Sequence, residues 1–437
     1  MKALSLFSNC GAGDVGYRRA GFDFRVMAEL SQNRLSVALA NHPNAIGVPG
    51  DLRNTWTTVV EKWRQVEGET RPDLLAACPP CQGMSSARGG LGSHDDHEAG
   101  GRDPRNLLVT VIEAVAKELK PRAIVVENVP AFLTRAVPHP VTGGPISAAL
   151  LLIEALSDDY QVSSMVADLA DWGVPQTRKR SFLTFVSKAE SGLALHSGSI
   201  AFPRPTHAED WGGKPITITE SLRALAAAPL DAASASNAAD PANPMHFVPV
   251  WDERQYRMVQ AIPPNSGKGA WVNQECSACA VKTIDVDAAT CQSCGQPLLR
   301  PVVRENDSWR LVNGFRTSSY TRMKADAPAS TVTTASGRVG SDKTIHPWEN
   351  RLLSPYECAH IQTLPSDFQW GDALKRWGHT NVREMIGEAV PPRFTEMHGH
   401  AIRAILEEKS EVALLPENDP RSKKATRLLE RARSKAH

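Results

Sequence analysis

Through residues 2–187 short apolar or β-branched runs alternate with longer stretches of helical spacing, and this alternation leaves few folds open. The runs 3–7, 24–29, 74–77, 123–127, 161–166 and 182–186 read as strands, and 34–40, 56–65, 106–119 and 148–156 as helices. A strand that feeds a helix must cross over before pairing again, so the pattern predicts an α/β domain with a parallel, doubly wound sheet. Such sheets carry their chemistry beyond the carboxyl ends of the strands, and the residues at those ends are the ones to weigh.

The first strand runs into Gly11-Ala12-Gly13-Asp14-Val15-Gly16, a G-x-G-x-x-G that opens a helix. Glycines let a backbone approach a ligand and the helix start favours negative charge, an arrangement that suits a dinucleotide as well as other adenosine carriers. Glu29 ends the second strand, where a carboxylate can accept from ribose hydroxyls, and Asp51 sits where the third element should end. Each acid alone reads equally as a turn or cap residue. With the glycine turn they outline an adenosine pocket.

Cys78-Pro79-Pro80-Cys81-Gln82-Gly83-Met84-Ser85 follows the buried run 73–77. Two prolines stiffen the backbone before Cys81, so its thiol projects from a strand end as a nucleophile, or else packs as a small apolar side chain. The stretch 82–102 holds six glycines with His94, Asp95, Asp96 and His97 among them, which reads as a solvated lid rather than a metal site. Glu127, behind buried aliphatics, is costly unless hydrogen-bonded. Its burial favours the protonated form, able to bond a ring nitrogen, while a cap or a structural ion pair is the plainer reading. Arg178 and Arg180, two apart, would share one face of extended backbone and grip a phosphate or a carbonyl oxygen, unless they form an ordinary surface run.

In order and spacing these blocks resemble the DNA (cytosine-5)-methyltransferase family. The matching residues are Phe7 with Gly11, Glu29, Asp51, Pro80-Cys81-Gln82, Glu127-Asn128-Val129 and Gln176 through Arg180. Near the carboxyl end they continue with Arg351-Leu352-Leu353-Ser354-Pro355-Tyr356-Glu357 through Gln362 and with Gly387-Glu388-Ala389-Val390-Pro391-Pro392, so that the likeness covers 1–187 and 345–405. The resemblance implies a Rossmann-like, S-adenosylmethionine-dependent methyltransferase domain (1–187) with a smaller mixed target-recognition domain (188–345) and a return segment (346–408). It implies that Cys81 adds to C6 of a flipped cytosine, that Glu127 engages N3 and the exocyclic amine, that Arg180 holds O2 and that Arg178 orders the surroundings of Cys81. The cofactor would meet Phe7, Ser8, Gly11, Glu29, Leu30, Asp51, Leu52, Pro80, Glu388, Ala389 and Val390. Double-stranded DNA would meet Gln82, Ser85, Arg88, Gln176, Thr331 and Thr333. Two positions depart from the family pattern. Asn9 replaces a glycine, which asparagine can do because it tolerates left-handed backbone. Glu388 replaces an asparagine and brings a charge that would perturb cofactor binding or docking of the return segment.

Within 188–345 the βα pattern stops, and 230–244 reads as a low-complexity linker. Cys276, Cys279, Cys291 and Cys294 form C-x₂-C-x₁₁-C-x₂-C, the spacing of a ribbon (276–294) that folds around one structural Zn²⁺ with no open ligand position. Arg304, Arg310, Arg316 and Arg322 recur every six residues with Trp309, Phe315 and Tyr320 between them, a mixture suited to phosphates and bases or else scattered surface charge. The segment 409–437 reads as a basic, partly helical tail that adds non-specific DNA affinity, or equally as a merely solvated helix.

Net charge is +1, so any nucleic-acid surface is a local patch. Eight cysteines, half of them in the two C-x-x-C pairs of the ribbon, fit a reducing compartment. No apolar run reaches membrane-spanning length, and the amino terminus carries no signal-peptide pattern. The expectation is a monomeric, cytoplasmic, nucleoid-associated bacterial enzyme that works alone or with cognate restriction or defence proteins. An RNA cytosine-5 methyltransferase and a weak or inactive DNA-binding regulatory subunit are the competing readings.

Overall fold

The computed structural model describes residues 1–80, 104–190, 198–313, 318–341, 343–409 and 413–436. Cys81, Gln82, Ser85, Arg88 and the expected lid at 82–102 lie outside the described residues, as do Phe315 and Arg316.

The first half lays down β1 (Lys2–Leu6), α1 (Ala12–Arg19), β2 (Asp23–Glu29), α2 (Gln32–Asn41), β3 (Ile46–Pro49), α3 (Leu52–Glu67), β4 (Leu74–Ala77), α4 (Val109–Leu119) and β5 (Ala123–Asn128). A small hairpin, β6 (Ala136–Pro138) with β7 (Pro145–Ser147), then leads to α5 (Ala148–Leu156), β8 (Tyr160–Asp168) and β9 (Lys179–Ser187). Seven strands form one sheet in the order β3-β2-β1-β4-β5-β9-β8. The sheet is not wholly parallel, as the alternation predicted: β9 runs antiparallel to both neighbours, β5 and β8. Residues 169–178 are too few for a crossover, so the chain turns straight back. Both faces are buried. Leu4 and Leu6 face a core under α3, α4 and α5, and Ala3 faces a second core on the opposite side.

The second half contributes β10 (Ser199–Pro203), α6 (Ile218–Leu225), α7 (Glu253–Gln260), the hairpin β11 (Val302–Glu305) with β12 (Ser308–Leu311), α8 (Pro355–Ile361), α9 (Ala373–Glu388), α10 (Pro392–Leu406), β13 (Leu414–Pro416) and α11 (Pro420–Ala436). Helix α9 is kinked at Gly378, whose φ of 75° breaks the helical run. Helix α10 lies along α1 because two glycines allow it. A Cβ on Gly16 would stand 2.0 Å from Thr395 Oγ1, and one on Gly13 would stand 3.1 Å from Val390 Cβ. Of the G-x-G-x-x-G, then, only Gly11 (φ 73°) serves the turn, and the other two serve helix packing rather than ligand approach.

Three boundaries differ from the sequence reading. Strand β10 pairs with β13, Phe202 and Ile200 join the core beneath α10, and the Trp172 indole donates to the Pro203 carbonyl at 3.2 Å. The chain just after 188 therefore belongs to the catalytic half. The alanine-rich stretch 230–244 is no linker: Leu230, Ala232 and Ala238 pack with Trp251, Ile262 and Leu299, and Asp231 accepts from the Tyr256 hydroxyl at 3.0 Å. Small side chains there fill a core. The basic segment is helical over 420–436 and packed as well, since α11 docks with Ala425, Leu429 and Ala432 in the same core as Leu4 and Leu6.

Candidate active site

The ends of β1 to β4 converge on the β1–α1 turn. Phe7, Asn9 and Gly11 all take positive φ (57°, 48° and 73°), so Asn9 adopts the left-handed backbone expected of it in place of glycine. The Ser8 amide donates to the Ala28 carbonyl at 3.0 Å, clamping the turn to β2. The carboxylate of Glu29 is buried, and each oxygen takes one backbone amide: Asn9 N at 2.9 Å and Ser31 N at 3.0 Å. Burial pushes its pKa up, against the pull of these amides and of Arg34. Each oxygen keeps a second lone pair for a further donor. Beside it Leu30 is 70% exposed, an apolar platform at a strand end.

Gly50 N donates to the Glu29 carbonyl at 3.0 Å, which brings Asp51 alongside. Asp51 takes its plainer role, capping α3 through Arg53 N and held below the ordinary carboxylate range by the Arg53 side chain. Leu52 is buried in the core, so only its backbone can meet a cofactor. From the far side of the turn comes the end of α9: Asn9 Nδ2 donates to the Met385 carbonyl at 3.0 Å, and Val390 rests on Gly13. Asn9 Oδ1 is a buried acceptor without a partner among the described residues. Paired acceptors, an orphaned polar atom and an exposed leucine fit an adenosine-bearing cosubstrate.

Glu388, the unexpected charge, meets Arg34 of α2, with Nη1 2.5 Å from Oε2, and Glu384 lies 3.6 Å from the same guanidinium. The expected perturbation is thus met by a neutralising partner. Arg34 was not singled out from sequence, because nothing local marks a mid-helix arginine as the partner of a residue 354 positions away.

One strand over, Glu127 on β5 faces Arg180 on β9, Nε to Oε1 at 2.9 Å, with both side chains largely buried. The N–H is not aimed at that oxygen, which has no hydrogen bond among the described residues although the charges are paired. The other oxygen accepts from the Cys78 thiol at 2.9 Å. The Asn128 amide donates to the Pro79 carbonyl at 3.0 Å, fixing Pro79 ahead of Pro80 and Cys81. Cys78 and Asn128 were missed as functional residues. Their signal was adjacency, at the start of C-P-P-C and just after Glu127.

Arg178 does not share the face of Arg180. It precedes β9, is buried, and donates to the carbonyls of Val332 (3.1 Å), Gly387 (3.0 Å) and Ala389 (2.9 Å). A guanidinium with five donors gathers three chain segments there. Gln176 is a correction, since it is fully buried and its amide is spent on Ile361, Gln362 and Val332, leaving none for DNA. Thr331 remains partly exposed, with its hydroxyl on the Thr177 carbonyl. Thr333 backs onto Gly387, where a Cβ would stand 2.4 Å from the Thr333 carbonyl carbon. The described members of the arginine series, Arg304, Arg310 and Arg322, do not form one face. Arg322 is buried among the carbonyls of Val259, His346 and Glu349, Arg304 pairs with Asp307, and Arg310 with Glu305.

The four ribbon thiols meet within 4.8 Å of one another, with Sγ–Sγ distances of 3.5 Å (Cys276–Cys294), 3.7 Å (Cys279–Cys291) and 3.5 Å (Cys279–Cys294). Thiolates 2.3 Å from one zinc ion sit about 3.8 Å apart at tetrahedral corners. The cluster fits that ion far better than a disulfide, whose sulfurs lie about 2.05 Å apart.

A carboxylate capped by amides beside a glycine turn, in the same sheet as a buried acid–guanidinium pair, defines an α/β protein whose strand ends suit an adenosine-bearing ligand. Within that class the chain belongs to the C-5 cytosine-specific DNA methylase family, whose sequence pattern matches residues 1–404, and it is a DNA cytosine-5 methyltransferase with S-adenosylmethionine as the implied donor. It is similar to the Type II methyltransferase M1.HgaI of Avibacterium volantium, at 26% identity over 402 residues, 90% of this chain and 95% of the relative. The fold is shared with an E. coli prophage protein described as a DNA modification methyltransferase (TM-score 0.55, 19% identity, 93% of this chain and 99% of that one). It is shared also with the methyltransferase EhMeth of Entamoeba histolytica (TM-score 0.51, 12% identity, 93% and 98% covered). Among the described residues no helix is long and apolar enough to cross a membrane.

Proposed function

We propose that the chain is a sequence-specific modification enzyme of restriction-modification type, methylating C5 of a cytosine flipped out of duplex DNA through a transient bond from Cys81 to C6. A stacked base cannot be reached by side chains on a sheet edge, so it must leave the helix. C5 is a poor nucleophile until C6 is substituted, hence the thiolate attack. Glu127 faces N3 and the exocyclic amine, and Arg180 faces O2. S-adenosylmethionine supplies the methyl group as an electrophile. Loss of the C5 proton then lets the ring expel the Cys81 thiolate and regain aromaticity.

The observation that carries this reading is the Glu127–Arg180 pair at 2.9 Å, an acid and a guanidinium presented together from β5 and β9 beside the Cys78-Pro79-Pro80 strand end. The same pair, with Glu388 neutralised by Arg34, speaks against an inactive DNA-binding subunit. The four thiols hold a structural zinc that folds the ribbon. Bisulfite sequencing of DNA from a host expressing the protein tests the reading. It predicts 5-methylcytosine within one short sequence context, absent with Cys81→Ser. Unmethylated DNA from a host making folded protein, or an equal signal from the serine variant, would refute it.

A further inference from the structure

Helix α11 lies beyond residue 404, where the family match stops, and nothing in the proposed mechanism uses it. Its inner face is fixed. Ala425, Leu429 and Ala432 are buried against the catalytic core, and Arg421 pairs with Asp171, Asp210 and Asp419. The helix packs on β8 and β7 and also touches the turn Pro130–Leu133, which begins two residues after Asn128. It therefore flanks the strand end that presents Glu127.

The outer face is chemically uniform. Lys423, Arg427, Arg431 and Lys435 recur every four residues, one above the next, with Lys424 and Arg433 beside them and Glu430 as the one acid. All six cations are exposed and none has an ion-pair partner among the described residues. Like charges four apart on a helix each cost about 0.2–0.5 kcal/mol, and this stripe stacks three such pairs. In a chain of net charge +1 the stripe is not the by-product of a basic composition. A protein partner would call for apolar anchors, and the exposed face carries only Lys, Arg, Thr, Ser and Glu. At about 1.5 Å per residue the stripe is roughly 18 Å long, the reach of about five phosphates on one DNA strand.

We propose that the outer face of α11 is a phosphate-binding rail for the duplex flanking the methylated cytosine. The proposal rests on the reading of the chain as a DNA methyltransferase and adds a second, sequence-independent surface for the duplex to it. Binding of the full-length protein to a 60-base-pair duplex of arbitrary sequence, measured by fluorescence anisotropy between 50 and 200 mM KCl, tests it. Three proteins are compared: the parent, the K423Q/R427Q/R431Q/K435Q variant, and a K62Q/R64Q/K117Q/K120Q control that removes the same charge from α3, α4 and the residue after α4. Thermal melting verifies that each is folded. The rail variant should bind at least about tenfold more weakly at 50 mM salt, its log–log salt slope shallower by up to about 3.6, or roughly 0.9 for each phosphate that is no longer neutralised. The control should change its slope by less than about 0.9. Equal effects in the two variants, or a rail variant with the parental slope, would overturn the proposal, the latter leaving the face to some other polyanion such as an acidic protein. A parent that binds duplex along the rail but never methylates it would refute the proposed function and leave the rail standing.

Discussion

Arg34 on α2 and Glu388 at the end of α9 form an ion pair that ties the return segment to the rim of the proposed cofactor pocket, with their side chains 23% and 29% exposed. Glu29, whose buried carboxyl anchors the same rim, feels both charges. Arg34→Ala should leave two acids facing each other across the pocket and weaken binding of S-adenosylhomocysteine by about tenfold, close to 1.4 kcal/mol. Arg34→Glu combined with Glu388→Arg should recover most of that loss. Isothermal titration calorimetry reads both. A swap no better than the single variants would show that the two side chains do not work as a pair.

The Cys78 thiol orients Glu127 from the side opposite Arg180. Loss of a hydrogen bond to a charged group costs about 1.5–3 kcal/mol, so Cys78→Ala should cut kcat by about tenfold or more while DNA affinity holds. Cys78→Ser, which keeps a donor, should restore most of the rate. If alanine and serine lower single-turnover rates alike, the thiol fills space and nothing more.

Two buried groups give stability opposite pH dependences. Burial pushes His398 down to about 3 from 6.5, so between those values the unfolded chain binds the extra proton and stability falls as pH drops below about 6.5. Burial pushes Asp14, bonded by the Ser5 hydroxyl at 2.8 Å, up to about 7 from 3.8. There the folded chain holds the proton, and stability is lost as pH rises from about 4 through 7. Asp14→Asn should therefore exceed the parent's melting temperature by a margin that widens from pH 4.5 to pH 8. A difference that is flat across that range would mean Asp14 is ionised in the fold.

Metal analysis of the purified protein should find about one zinc per chain, and Cys291→Ser should lose it. The ribbon has a small core of its own, Cys276, Cys291 and Leu298, so the variant should expose 274–300 to protease while the first 187 residues stay resistant. Metal-free protein with a protease-resistant ribbon would contradict the assignment.

Much of this was legible before any coordinates. The strands of the first half and the four-thiol cluster follow from periodicity and spacing, which are local signals, whereas the left-handed turn at Asn9 and the joint placing of Glu127 and Arg180 were implied by the family resemblance. What the sequence hid is tertiary. Gly13 and Gly16 look like ligand glycines until α10 is laid against them. Arg178, Arg322 and Gln176 look like nucleic-acid contacts until their donors are found on backbone carbonyls from distant segments. The alanines at 232 and 238 look like linker until Trp251 covers them. The antiparallel β9 was concealed because strand direction depends on connection length, not on the strand's own residues.

The most direct trial of the whole account is to incubate the protein with S-adenosylmethionine and a duplex in which 5-fluorocytosine replaces cytosine, then to denature it and map any adduct by mass spectrometry. Fluorine cannot leave as the C5 proton does, so the account predicts a methylated pyrimidine trapped on the peptide that contains Cys81. Methyl transfer to an ordinary duplex in the same context, with no such adduct on the fluorinated one, would contradict it.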